Sequence, residues 1–308
     1  MELFLSVLAA AIGMSAPIMY ASVGEIISER SGILNLGLEG IMLMGGAFGY
    51  ITAIQTGSLG LAILAVLLTG ILIGLFYAFM TVTLEANQVV CGLVMVIFGK
   101  GFSDFFGKLV HGMTTVNSFG KAAVPLLSRI PFIGPVFFEQ NVFVYFLYFL
   151  VPAVCFFIYK TRPGLTLKAL GENPGALDAA GVQVFGLRYL YVIIGCVIVS
   201  LGGAYVTLAY TPSWNSEIIA GRGWIAAALV IFASWNPLYA ILGSMLFGGV
   251  QVLGQRLQLF GVNIPSHFLA MLPYICTVAV LIVSTGPFRR RKSPVPAALG
   301  SPYEREAR

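Results

Sequence analysis

Apolar residues come in runs of roughly twenty, parted by short polar stretches, and a run of that length crosses about 30 Å of hydrocarbon as an α-helix. Such runs occupy positions 3–23, 33–54, 59–84, 88–108, 141–160, 188–210, 217–235, 237–256 and 266–286. In lipid a segment must satisfy its own backbone, and runs of this length do so as helices. The pattern predicts an all-α membrane bundle of about nine transmembrane helices, within a range of eight to ten. They fill residues 1–288, and a basic, disordered tail is expected over 289–308. The acidic start and the absence of a cleavage site before the apolar run make the N-terminal stretch part of the first span rather than a signal peptide.

The longest polar interruption of the C-terminal half is KTRPGLTLKALGENPGALDAAGVQVFGLR, from Lys160 to Arg188. Its Lys160, Arg162, Lys168 and Arg188 face only Glu172 and Asp178, and short basic loops stay on the cytoplasmic side. Asn173-Pro174 reads as a helix start, with Asn as cap and Pro in the first helical position. Gly181 supplies the stop. A helix of about two turns is marginal alone in water, and the small exposed residues Ala176, Ala179 and Ala180 predict that it docks against a partner. Four further spans return the tail, with Arg289-Arg290-Arg291-Lys292, to the cytoplasm. Counting back places the N-terminus outside, together with 109–140, whose length weakens the pull of Lys121 and Arg129. The proline-bearing stretch from Ile130 to Phe138 is a candidate re-entrant element.

Composition agrees. The chain is 58% hydrophobic and 9% charged, against roughly 25% charged residues in soluble domains, and its mean hydropathy is +0.94. The net charge of +5 follows from positive-inside loops and does not imply nucleic acid as a partner. Cys91, Cys155, Cys196 and Cys276 lie in apolar runs without metal-ligand spacing. The chain has no GxxxxGK[ST] phosphate loop, and HExxH and GxSxG are missing as well. No cofactor, no metal and no catalytic residues are expected, and the chain cannot bind ATP through such a loop.

Within GEIISERSGILNLGLEGIMLMGG, Ser31, Asn35 and Glu39 are spaced four apart, which on a helix puts them on one face. Glu39 is followed only by apolar residues, and a carboxylate at such depth marks a polar path. The glycines Gly32, Gly37 and Gly40 favour an interrupted helix whose freed backbone lines a cavity. Together with Asn87, Gln88 and Arg222 these residues form the candidate substrate pathway. Lys100, Asp104 and Lys108, at i, i+4 and i+8, suggest a carboxylate bridging two ammoniums. Arg222 is expected at the outer end of a span with its stem reaching polar surroundings. Trp235, in the tight turn Ser234-Trp235-Asn236-Pro237, is expected as an interfacial anchor, and Trp214 and Trp224 in the outer belt. Gly45/Gly49 and Gly70/Gly74 are small-xxx-small pairs, read as packing within the subunit.

SERSGILNLGLEGIMLMGGAFGY, NQVVCGL, LKALGENPGALDAAGV and GRGWIAAALVIFASWNPL, in this order, resemble the permease subunits of bacterial ABC importers. The branch is the one sharing the branched-chain amino acid and ribose permease fold. Within it the chain is most similar to nucleoside and simple-sugar permeases that work with basic-membrane-protein-type lipoprotein receptors. It departs from that family at Val96, where Asn is frequent, and at Ser234, where a basic residue is common. The resemblance implies a multi-pass protein of the bacterial cytoplasmic (inner) membrane, surrounded by lipid. It also implies a second homologous permease subunit and a tandem-domain ABC ATPase. An extracytoplasmic lipoprotein or periplasmic substrate-binding protein would deliver a small-molecule substrate. The ATPase-coupling helix would comprise Gly171, Glu172, Asn173, Pro174, Ala176, Leu177, Ala180 and Gly181. Nucleosides are the expected cargo; simple sugars and branched-chain amino acids are the alternatives, and an ATPase-independent carrier or channel is the competing class.

Overall fold

The structure, a computed structural model, describes residues 2–114, 117–259, 295–303 and 305, with isolated positions between 268 and 278. Most of the span expected at 266–286 falls outside the described residues. Helix α1 (Glu2–Arg30) runs through Pro17 and is followed by a break at 31–37. Helix α2 (Leu38–Thr56) ends on Gly57, whose φ of 64° is a conformation glycine adopts without steric cost. Ser58 caps α3 (Leu59–Ala78), which widens into a π-helical turn, Phe79–Thr83. Asn87 caps α4 (Gln88–Gly107), its side-chain oxygen accepting from Val90 N–H at 3.1 Å.

Between α4 and the next long helix lie β1 (Lys121–Ala123), α5 (Ile133–Phe137) and β2 (Glu139–Asn141), the two strands pairing antiparallel. The candidate re-entrant stretch thus holds only one short helical turn. The chain continues through α6 (Val142–Lys160), α7 (Arg162–Glu172), α8 (Pro174–Ala179) and α9 (Val184–Tyr205), which also ends in a π-helical turn, Val206–Tyr210. Helices α10 (Arg222–Phe232) and α11 (Pro237–Leu259) complete the described bundle.

Six described helices are long and apolar enough to cross a membrane, and the architecture is the expected helical bundle. Helices α1 and α9 are its buried centre: α1 packs on α9, α11 and α10, and α9 on α2 and α3. Close approach explains the glycines. A Cβ on Gly70 or Gly74 would lie 2.7 Å from the Cα of Val197 or Ile193 in α9, so this pair serves packing within the chain. Gly45 likewise leaves room for the Ser200 backbone, and Gly49 for Val66.

Three expectations change at this level. The first span continues as helix to Arg30, because Glu25 and Glu29 are buried rather than solvated. The run at 217–235 contains only the 11-residue α10, roughly 16 Å of helix and too short to span. The 160–188 loop holds a second helix, α7, started by Thr161, whose hydroxyl accepts from Gly164 N–H at 3.1 Å. Residues 295–303 lie against the bundle, where Ala298 N–H donates to Gly171 O and Gly300 N–H to Gly32 O.

Candidate functional site

Two features stand out, one on the surface and one inside the bundle. On the surface, Asn173 takes a non-helical conformation and its side-chain oxygen accepts from Ala176 N–H at 3.0 Å, starting α8. Gly181, at φ 82°, turns the chain out of it. Glu172, Ala176, Ala179 and Ala180 are exposed, Leu177 packs partly against the core, and Gly171 is buried at the end of α7. A Cβ on Gly171 would collide with the carbonyl of Arg30, so α7 touches the end of α1. The Lys168 ammonium of α7 sits 4.0 Å from the Tyr159 ring centroid. Burial, and after it the Arg30 charge, hold its pKa below the ordinary lysine value. A crevice of about 420 Å³ opens beside α8, lined by Asp178, Val182, Phe185 and Arg305 among others.

Inside the bundle, the break at 31–37 runs from this α8 face inward. Gly32, at φ 89°, lies near Arg188 at the start of α9, and Asn35 reaches Cys196 two turns further along it. Ser31 donates to Ser28 O at 2.6 Å, Asn35 N–H donates to Glu25 Oε1 at 2.9 Å, and the Asn35 side chain accepts from Gly37 N–H. Ser31, Asn35 and Glu39 therefore do not share a helix face: the helix is interrupted through the first two, and only Glu39 is helical. Gln88 closes the outer side of the break, its oxygen accepting from Leu34 N–H at 2.7 Å. Asn87 is spent on capping α4.

Glu39, in the first turn of α2, meets the start of α10. Its Oε1 accepts from Gly221 N–H at 2.8 Å and its Oε2 from Gly223 N–H at 2.7 Å. Both carboxylate oxygens thus serve backbone donors that a helix N-terminus otherwise leaves open. Helix α10 begins at this internal junction and ends at the Ser234-Trp235 turn, so it crosses only part of the bundle. Arg222 does not reach outward; it is buried, with Nη1 donating to the carbonyls of Ile218 and Ile219.

At the far end of α10 the expected tryptophan anchor is instead an internal fastener. Trp235 is buried, its indole N–H donates to Glu29 Oε2, and its carbonyl accepts from Arg30 Nε at 2.9 Å. Trp214 is buried too, against Gly107, while Trp224 is exposed as expected of a belt residue. The Lys100–Asp104–Lys108 bridge does not form. Lys100 Nζ pairs with Glu217 Oε1 at 2.6 Å, with side chains 49% and 77% exposed. Among the described residues, no group of three or more His, Cys, Asp or Glu stands where it would hold a metal ion.

Interrupted helices meeting at an internal junction, beside long apolar spans, define a membrane transporter-type bundle. Residues 7–283 match the family described as the permease component of branched-chain amino acid transport systems, and the chain belongs to that family. It is similar to the "Putative glucose ABC transporter permease protein TsgC13" of Haloferax volcanii, 34% identical over 96% of this chain and 97% of the relative. The nucleoside ABC transporter permease protein NupC of Lactococcus lactis is 37% identical over 94% of this chain and 93% of its own length. The guanosine ABC transporter permease protein NupQ of Bacillus subtilis is 30% identical with the same coverage.

The sequence marked Glu39, Gln88 and Arg222 as polar residues in an apolar setting, and the structure brings Glu39 and Arg222 to one junction. It did not mark Glu25, Glu29 or Glu217. The i, i+4 spacing of Glu25 and Glu29, which puts both on one helix face, was the available signal for a buried face.

Proposed function

We propose that this chain is the membrane-spanning translocation subunit of an ATP-driven importer for nucleosides, in the bacterial cytoplasmic membrane. The observation that carries the reading is α8: a six-residue, Asn-capped helix with an exposed alanine face, which a partner must cover for it to persist. Relatives named as nucleoside and guanosine ABC transporter permeases, at 37% and 30% identity, support the cargo. In this reading α8 faces the cytoplasm and receives a tandem-domain ATPase. A second homologous permease covers part of the outer faces of α3 and α4, and a substrate-binding lipoprotein docks opposite. ATP-driven closure displaces α8, and with it α7, which abuts the end of α1 at Gly171.

The translocation path then follows the Glu39 junction. The pair Lys100–Glu217 belongs to the same path: Lys100 lies well inside the 23-residue apolar span Gln88–Val110, where an exposed ion pair is tolerated beside water or protein, not lipid. Ser31, Asn35, Asn87 and Gln88 act as supports of the break rather than as contacts to cargo. Simple sugars are the second reading of the cargo, favoured by the relative named for glucose.

The experiment is uptake of radiolabelled uridine, guanosine and glucose by proteoliposomes holding the chain with its ATP-binding and second permease subunits and its receptor. ATP-dependent nucleoside uptake is expected. Glucose uptake without nucleoside uptake would replace the cargo, and uptake without ATP would replace the class.

A further inference from the structure

The stretch 295–305 touches four separate elements of the α8 face. Ala298 N–H donates to Gly171 O, at the end of α7, at 2.8 Å. Gly300 N–H donates to Gly32 O, in the α1–α2 break, at 3.2 Å. Tyr303 Oη donates to Asp178 Oδ2 of α8 at 3.1 Å, and Arg305 Nε donates to the same oxygen at 2.9 Å. The Tyr303 ring lies 5.9 Å from that of Phe185 and 5.8 Å from the Arg188 guanidinium, both at the start of α9.

Arg188 explains why an aromatic ring sits there. It is 1% exposed, and among the described residues no carboxylate lies within 4.0 Å of it and its Nε and Nη2 have no hydrogen-bond acceptor. A buried guanidinium without a counter-ion gains from a π face above it. Pro296 and Pro302 stiffen the stretch and lower the entropy lost on seating it. The result is a short bridge that joins α8 to the break while resting on the end of α7 and the start of α9.

We propose that Tyr303 and Arg305 are positioning residues that tie α8 to the Gly32 break, so that displacement of α8 is handed directly to the interrupted helix pair on the translocation path. The proposal rests on the importer reading above. Without the tie, α8 would still bind the ATP-binding subunit, but its motion would reach the break only through α7 and α9, and ATP would be hydrolysed with less cargo moved.

The test is a charge exchange in the complete reconstituted transporter, reading cargo moved per ATP, basal ATP hydrolysis and co-purification of the ATP-binding subunit. Arg305→Asp is expected to lower cargo per ATP by up to about fivefold, the upper range for an exposed charge pair. Basal hydrolysis and co-purification should stay at the wild-type level. Adding Asp178→Arg to Arg305→Asp is expected to restore cargo per ATP, and Tyr303→Ala to reproduce the single defect. Unchanged cargo per ATP in both Arg305→Asp and Tyr303→Ala would overturn the tie, with wild-type ATP dependence still standing. Parallel loss of hydrolysis, co-purification and uptake, not restored by the exchange, would overturn it in favour of a merely structural tail. Uptake by the wild type without ATP would overturn the importer reading and the tie together.

Discussion

Glu39 holds Gly221: the carboxylate in the first turn of α2 accepts the backbone N–H that opens α10, 182 residues further along the chain, at 2.8 Å. Its second oxygen takes Gly223 at 2.7 Å. A half-buried carboxylate that caps a helix N-terminus is stabilised by two hydrogen bonds and by the positive end of the helix dipole. The same contacts fix the half-length helix against the interruption between α1 and α2, so position and stability are one property at this junction.

Replacing Glu39 with Leu removes both acceptors and leaves two backbone donors unmet in the bundle, at about 1–3 kcal/mol each. The thermal midpoint of the detergent-purified protein and cargo uptake should both fall. Glu39→Gln keeps one carbonyl oxygen and should lie between the two in midpoint. A Glu39→Leu protein with an unchanged midpoint and no uptake would assign the residue to cargo contact instead of capping.

What could be read from the sequence was local. Apolar runs of spanning length gave the helices, and Asn173-Pro174 with Gly181 gave α8, because caps and stops act on neighbouring residues. What escaped was set by distant partners. Glu29 looks like a loop residue until Trp235, 206 positions away, supplies a donor. Lys100 prefers Glu217, 117 positions away, over its helical neighbour Asp104. Helix α10 is short because the chain turns at Ala220 and Gly221, both at positive φ, inside a run whose hydropathy alone fits a span. The composition of 295–303 gave no sign of Gly32, Gly171 or Asp178 as its partners.

Trp235→Phe tests the other end of α10. Phenylalanine keeps the ring but cannot donate to Glu29, which is 3% exposed. An unmet buried carboxylate oxygen costs about 1–3 kcal/mol, so thermal stability should drop measurably while α8-dependent binding of the ATP-binding subunit is kept. A midpoint equal to that of the wild type would mean that water reaches Glu29 and replaces the indole.

The exposed pair on α4 separates lipid from path. A cysteine introduced at Lys100 in the assembled transporter is expected to react with a membrane-impermeant thiol reagent, whereas one introduced at Ile97, one turn away and 75% exposed, is expected not to. Cargo should slow labelling at 100. Equal inertness at both sites would place Lys100–Glu217 under the second subunit, away from the water-filled route.

The last prediction concerns α8 itself. Asn173 supplies the one side-chain cap of a six-residue helix, and losing such a cap costs about 1 kcal/mol. That is little for the bundle, but large for a helix this short. Asn173→Ala should therefore leave the thermal midpoint almost unchanged while weakening association with the ATP-binding subunit by up to about fivefold, 1.4 kcal/mol being a factor of ten. Ala176→Arg acts differently: it leaves the cap in place and adds bulk and charge to the exposed alanine face. It should abolish co-purification and cargo-stimulated ATP hydrolysis without affecting membrane insertion. Labelling of a cysteine introduced at Ala176 from the cytoplasmic side alone, and of one introduced at Ser213 from the other side alone, would fix the orientation these variants assume. If Ala176→Arg kept both the ATP-binding subunit and wild-type uptake, α8 would be a solvated connector, and the force-transmitting contact would have to be sought elsewhere on the same face.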